Sequence, residues 1–199
     1  MHLSIWRMVA PDQRSKPQQA RALLRRAAMH LVGVDVHVVH APGQRPRADG
    51  LALSLARSDN EAICAAGRCH ALGIDIERVR PWAELADMAE LIDHAPPADA
   101  HGLLSLWTRK EALAKALGQG LPDDVRALAV PSRSIRFGQW EQLEGLLWVG
   151  CPDRAGSVAS LVVEPRSDQQ DRSTSGTVDI EPLRTGEPGV EAWNLWVRW

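Results

Sequence analysis

Asp75 and Glu77 stand two residues apart in residues 73–77 (GIDIE), and Glu111 lies between Lys110 and Lys115 in residues 107–115 (WTRKEALAK). Three carboxylates and two lysines at these spacings suit a divalent metal held against a polyphosphate. On a strand, residues two apart share a face, so Asp75 and Glu77 point one way while Ile74 and Ile76 point into the core. Adjacent carboxylates repel unless a cation sits between them, and Mg2+ takes one or two carboxylates together with phosphate oxygens and water. On a helix, Glu111 and Lys115 are surface neighbours, whereas Lys110 lies about 100° round from Glu111. Singly, each motif is more often something plainer: two solvated acids at a strand end, or a helix ion pair worth a few tenths of a kcal/mol. Trp107 reads as a packing anchor.

The elements that must position these residues follow from periodicity. Ala20, Leu23, Leu24, Ala27, Ala28 and Leu31 recur at three- and four-residue steps and predict a helix over residues 18–32, with Arg21, Arg25 and Arg26 mostly opposite. Residues 34–40 alternate and are β-branched, which predicts a strand. A Pro- and Gly-bearing loop follows over residues 41–50. Residues 51–56 and 61–65 read as paired strands with the turn at Arg57–Asn60, and residues 71–77 as a third strand. Pro81 breaks the chain, residues 82–92 form a short amphipathic helix, and residues 99–117 carry the second motif on a long helix stopped by Gly118 and Gly120. Strands are expected at 125–130, 134–140, 144–149 and 157–164. The order helix, strands, helix, strands predicts two α+β halves: residues 1–80, ending in the acidic strand, and residues 81–165, bearing the second motif. Residues 166–177 are polar, and the last ten residues hold three Trp that are expected to dock on the body as a closing strand.

With 199 residues, 45% hydrophobic and 24% charged, the chain has enough apolar material for a core. A net charge of -2 gives no global argument for nucleic acid. No apolar run approaches the roughly 18 residues of a membrane span, and the N-terminus lacks the apolar stretch of a secretory signal, so a cytoplasmic protein is expected. The three cysteines, Cys64, Cys69 and Cys151, are odd in number and match no disulfide or zinc spacing.

A G-I-D-x-E strand followed some tens of residues later by W-x-x-K-E-A-x-x-K resembles the 4′-phosphopantetheinyl transferase superfamily, in its broad-specificity bacterial form. The resemblance spans about residues 18–164, is strongest at 73–77 and 107–120, and includes Gly118-Gln119-Gly120-Leu121. It implies an α+β pseudo-dimer of two similar α/β halves with the site in the cleft between them, acting as a monomer. It also implies an enzyme of the holo-[acyl-carrier-protein] synthase type, serving secondary metabolite biosynthesis. Such an enzyme moves the 4′-phosphopantetheine arm of coenzyme A onto a serine of an acyl or peptidyl carrier protein and releases 3′,5′-ADP. By this resemblance Asp75, Glu77 and Glu111 bind Mg2+ on the pyrophosphate of coenzyme A, and Glu111 also deprotonates the attacking serine. Lys115 meets the phosphate and assists the leaving group, Lys110 adds positive charge, and Arg45, before Pro46, contacts a phosphate of coenzyme A. Arg78 and Arg80 are placed to steer an acidic carrier protein.

The chain also departs from the family pattern. A Ser-His-Ser strand element aligns with Ser54, Leu55 and Ala56, so Ser54 is kept as a coenzyme A contact while the expected His is Leu55, which cannot donate a hydrogen bond. Loss of one such charge-assisted contact costs about 1.5–3 kcal/mol, roughly ten- to a hundredfold in affinity; Arg57 stands near enough to compensate. The stretch from Asp75 to Trp107 is shorter than usual, trimming a region that helps meet the carrier. These departures leave open a protein on the same fold that binds coenzyme A or a carrier without turnover. Other metal-assisted pyrophosphate chemistry, such as nucleotide hydrolysis, also stays open.

Overall fold

A computed structural model describes residues 1–10, 16–41, 44–152, 154–167 and 175–198. Strand β1 (His2–Val9) is buried along nearly its whole length. It leads to helix α1 (Lys16–Val32), whose Ala20, Leu23, Leu24, Ala27, Ala28 and Leu31 are buried as the spacing predicts. A two-residue strand β2 (Arg47–Ala48) precedes the hairpin β3 (Leu51–Ser58) and β4 (Glu61–Gly67), whose turn residue Asp59 adopts a positive φ of 44°. Strand β5 (Ala71–Arg78) carries the first acidic motif. A 3-10 turn at Trp82–Glu84 and the short α2 (Ala86–Ile92) lead to α3 (Ala100–Leu117). Asp99 caps α3 by accepting from Gly102 N at 2.8 Å, and Gly118 ends it in the left-handed conformation at φ 72°. Strands β6 (Gln139–Leu143), β7 (Leu146–Val149), β8 (Ser157–Glu164), β9 (Ser175–Pro182) and β10 (Val190–Val197) complete the chain.

All ten strands form one curled antiparallel sheet in the order β2-β3-β4-β1-β10-β9-β6-β7-β8-β5. The fold is mixed α and β, with α1 packed on β1, β3 and β4, and α3 packed on β5 and β8. The acidic strand β5 closes the later part of the sheet against β8, and its side chains also meet β3 of the earlier part. Arg7 ties the two parts together from inside. It donates to Pro152 O at 3.1 Å, to Glu61 Oε2 at 2.5 Å and to Ser157 Oγ while itself only 1% exposed. The docked C-terminal segment is β10, inserted between β1 and β9. Trp196 stacks on His2 at 4.8 Å between ring centroids, and Trp193 meets Phe137 edge-on at 6.0 Å; the third Trp of this tail, Trp199, lies outside the described residues. So do residues 168–174 of the polar stretch, and residues 175–177 already belong to β9. Among the described residues no helix is long and apolar enough to cross a membrane.

Three strand expectations are corrected. Residues 34–40 form no ladder; they touch the sheet through the single bridge Val39↔Arg47, while Val36 and Val38 pack on the α1 core. Alternating valines met a helix-covered edge rather than a partner strand. Residues 125–130 instead begin with a 3-10 turn at Val125–Ala127, because three backbone carbonyls there are taken by the Lys110 ammonium. The strand expected at 144–149 is β7, but the one expected at 134–140 starts only at Gln139 and runs to Leu143 as β6. Glu144 and Gly145, with φ 51° and 79°, form the two-residue hairpin turn to β7. The three cysteines are free and buried.

Gly73 governs how closely α3 lies on β5. A Cβ added there would sit 1.9 Å from Ala112 O and 2.6 Å from Ala116 N, both backbone atoms of the helix. No side chain can rotate out of that overlap. Gly73→Ala is therefore expected to lower unfolding free energy by about 3 kcal/mol or more. A urea-denaturation midpoint matching that of the unaltered chain would count against this seating.

Candidate functional site

The alternation of β5 sends Ile74 and Ile76 into the core, at 0% and 1% exposure, and turns Asp75 and Glu77 to the opposite face. On that face α3 brings Glu111 and Lys115. Lys115 Nζ donates to Asp75 Oδ1 at 2.6 Å and to Ile74 O at 3.3 Å. The two sequence motifs therefore meet through a direct ion pair between residues forty positions apart. Asp75 is only 5% exposed, and its second oxygen, Oδ2, is buried without a hydrogen-bond partner. Glu77 is half-buried; its Oε2 accepts from Ser58 Oγ at 2.8 Å, and the Arg80 guanidinium stands 4.0 Å away. Glu111 is half-buried on the same side of α3 as Lys115.

Electrostatics bind these groups into one unit. Burial pushes Asp75 up to about 7, against the pull of the Lys115 ammonium, and the Glu111 and Glu77 carboxylates push the same way. Glu111 is likewise raised, first by burial and further by Glu77, while Lys115 pulls it down. The three carboxylates thus feel one another, with Lys115 the cation among them. Among the described residues no three of these groups are drawn together as tightly as a set of metal ligands.

A cavity of ≈ 250 Å³ opens beside this cluster, walled by Glu111 and Lys115 of α3, Ser54 and Leu55 of β3, and Arg45 and His40 of the connecting segment. The Arg45 guanidinium closes its lower wall, donating through Nε to Lys115 O at 2.6 Å and through Nη2 to the same carbonyl. Gly118 makes room for it: a Cβ there would lie 3.0 Å from Arg45 Cζ. Ser54, buried, accepts from Ile74 N at 3.1 Å, and Ser58 accepts from Arg78 N at 3.0 Å. Serine hydroxyls thus join β3 to β5 where no ladder does.

One expectation changes. Lys110 does not reach the cluster: it is 1% exposed and donates to the carbonyls of Val125, Arg126 and Leu128 at 2.9, 3.2 and 3.1 Å. Its position about 100° round the helix from Glu111 carries it to another flank, where it pins a loop. Leu55 packs partly against the α1 core rather than presenting a polar group. One residue was missed. His40 lines the cavity with Nδ1 buried and unpartnered, and burial together with Arg21 and Arg57 lowers its basicity. In the sequence it is the end of an alternating valine run, and only its neighbourhood to Arg45 hinted otherwise.

Because Asp75 titrates higher in the folded chain than its ordinary value of 3.8, folding favours its protonated form. That contribution is complete below the unfolded value and is lost as pH rises through about 7. With divalent cations chelated, Asp75→Asn is expected to match the unaltered chain near pH ~4 and exceed it by a few kcal/mol near pH ~8. Thermal unfolding across that range checks it; a difference independent of pH would overturn the burial argument.

Residues 71–147 match the model of the 4′-phosphopantetheinyl transferase superfamily. The 4′-phosphopantetheinyl transferase HetI of Nostoc sp. is 29% identical over 162 residues, covering 69% of this chain and 68% of its own length. The matched segment contains Gly73, Asp75, Glu77, Glu111 and Lys115, the residues that form the strand-to-helix contact. Through this segment and its motifs, the chain is similar to members of the 4′-phosphopantetheinyl transferase superfamily.

Proposed function

We propose that this protein transfers the 4′-phosphopantetheine arm of coenzyme A to a serine of an acyl or peptidyl carrier protein and releases 3′,5′-ADP. The observation that carries the reading is the Asp75–Lys115 contact with its unpartnered carboxylate oxygen, set beside Glu111 at the mouth of a cavity. Phosphoryl-type transfer asks chiefly for positioning and for neutralisation of charge on phosphate oxygens. The donor types suit Mg2+, since Asp75, Glu77 and Glu111 offer hard oxygens and Asp75 Oδ2 is a buried acceptor lacking a partner, although among the described residues they are not drawn together as a ligand set. When bound, the ion neutralises pyrophosphate charge.

The chain's own residues supply the rest. Glu111, whose carboxyl is raised by burial, is suited to take the proton from the carrier serine, directly or through one water. The serine oxygen forms the new bond to phosphorus, and the bond to the departing 3′,5′-ADP oxygen breaks. Lys115 lies where it can exchange its hold on Asp75 for a phosphate oxygen and stabilise the charge left on the departing group. Arg45, fixed on Lys115 O, adds a guanidinium at the same cavity. His40 brings an imidazole to the cavity that Leu55 leaves without one. The two helix-on-sheet layers, α1 with β1, β3 and β4 and α3 with β5 and β8, support reading the molecule as two halves with the site in the cleft between them. Arg78 and Arg80 flank β5 as exposed cations toward an acidic partner.

Incubation with coenzyme A, Mg2+ and an apo carrier protein is expected to add the phosphopantetheine mass to the carrier. Glu111→Ala should reduce that conversion by about a hundredfold or more; undiminished turnover would sink the assignment. Leu55 and Ala56 favour a second reading, a protein that holds coenzyme A or a carrier without turnover. Calorimetry separates the two: tight binding of coenzyme A with no product over a panel of carriers supports the second. Leu55→His is expected to tighten coenzyme A by roughly tenfold or more.

A further inference from the structure

A larger cavity, ≈ 430 Å³, lies on the other flank of α3, between that helix, β8 and the segment around Ser134–Arg136. His101, Ser105 and Arg109 line it as one stripe of α3 at four-residue steps. Arg109 is about 200° round the helix from Glu111, so this cavity does not share the carboxylate face. Arg136 and Arg154 complete its polar wall, and no Asp or Glu is among its described lining residues. That is an uneven distribution in a chain whose net charge is -2.

Arg109 is the decisive side chain. It is 5% exposed, yet no carboxylate pairs with it among the described residues. Its Nη1 donates to Ser105 Oγ at 3.0 Å and to Ser134 Oγ at 3.2 Å, and its Nε has no acceptor. Trp148 Nε1, in the same wall, is also a buried donor without an acceptor. Burial alone lowers the Arg109 guanidinium to about 10. A buried cation with an idle edge is costly unless an anion completes it. A guanidinium fork presents parallel N–H groups that match an oxyanion.

We propose that this cavity is an anion site that binds a phosphate group, free or carried by a small monoester, with Arg109 as its buried anchor and Arg136 as the cation at its mouth. Arg154 is the weaker contributor, since it already stands 4.0 Å from Glu191. The space exceeds what a bare ion fills, and Ile135, Trp148 and Val158 give it an apolar wall for an organic remainder.

Calorimetric titration of the full chain at fixed ionic strength tests this, with inorganic phosphate, glycerol 3-phosphate and acetate as probes. Saturable binding of phosphate or the monoester, with acetate at least about tenfold weaker, is expected; whichever of the two binds tighter identifies the source. Arg109→Gln and Arg136→Ala should each weaken binding by about tenfold or more, whereas Arg45→Ala, which alters the other cavity, should leave the binding lost in those two variants intact. Arg136 is exposed, so its variant carries the test even if Arg109→Gln fails to fold. No saturable heat, full binding by Arg136→Ala, loss in Arg45→Ala of the same binding that Arg109→Gln removes, or acetate binding as well as phosphate would each overturn the proposal. None of these outcomes depends on phosphopantetheine transfer.

Discussion

The distance between α3 and β5 is the constraint on which the site depends. The helix lies so close to Gly73 that its own backbone occupies the space a Cβ would need. At that separation Lys115 spans the gap in one hydrogen bond and Asp75 loses nearly all contact with water. A looser helix would let water solvate the carboxylate, lower its pKa and slacken the ion pair, since desolvation is the largest influence on Asp75. The absence of one methyl group thus controls the electrostatics of a cluster two residues away.

The cations of α3 show how a helix distributes charge by rotation alone. Arg109, Lys110 and Lys115 lie within two turns, the first two buried and Lys115 half-buried. Lys115 faces the carboxylates, Lys110 faces three carbonyls, and Arg109 faces two serine hydroxyls. The partners differ in charge, which sets the consequence. A carboxylate pairs Lys115 outright, carbonyl dipoles satisfy the three donors of an ammonium, and hydroxyls leave part of a guanidinium unmet. Burial lowers both Arg109 and Lys110 for want of an anion, and Lys110 gains some relief from Asp93 and Asp124.

Much of this was legible in the sequence, and where it was not the reason is physical. The spacing of Asp75 and Glu77 gave their common face, and the i,i+4 step gave the common side of Glu111 and Lys115, because both follow from local periodicity. The stop at Gly118 was equally local. The partner of Lys115 was not local: spacing offered Glu111, and tertiary packing supplied Asp75. Lys110 was misread for the same reason, as its acceptors lie beyond the helix in residues 125–128. Strand β1 escaped because it is buried on both faces and has no alternation to read. Val34 to Val39 misled in the opposite way: alternation reports a half-covered surface, and α1 with its connecting segment covers one without a ladder.

The departure at Leu55 gains a physical setting from how β3 and β5 meet. Ser54 and Ser58 point toward β5 and bond its backbone N–H groups, so the alternation of β3 turns Leu55 to the other face, against α1. Leu55 also lines the cavity beside Glu111, so a polar side chain at residue 55 would stand near Arg45 and His40. The chain instead places an imidazole at His40, reached from the loop, and a guanidinium at Arg45, anchored on the helix end. Both belong to a segment joined to the sheet by one bridge at Val39 and the short β2. On the proposed reading, then, the carboxylate half of the site is set by rigid strand-to-helix packing, while the phosphate-holding half rests on a connection with few backbone bonds. Affinity for the phosphates should therefore depend on how firmly Arg45 grips Lys115 O, because among the described residues that contact fastens the loop to the helix bearing Glu111.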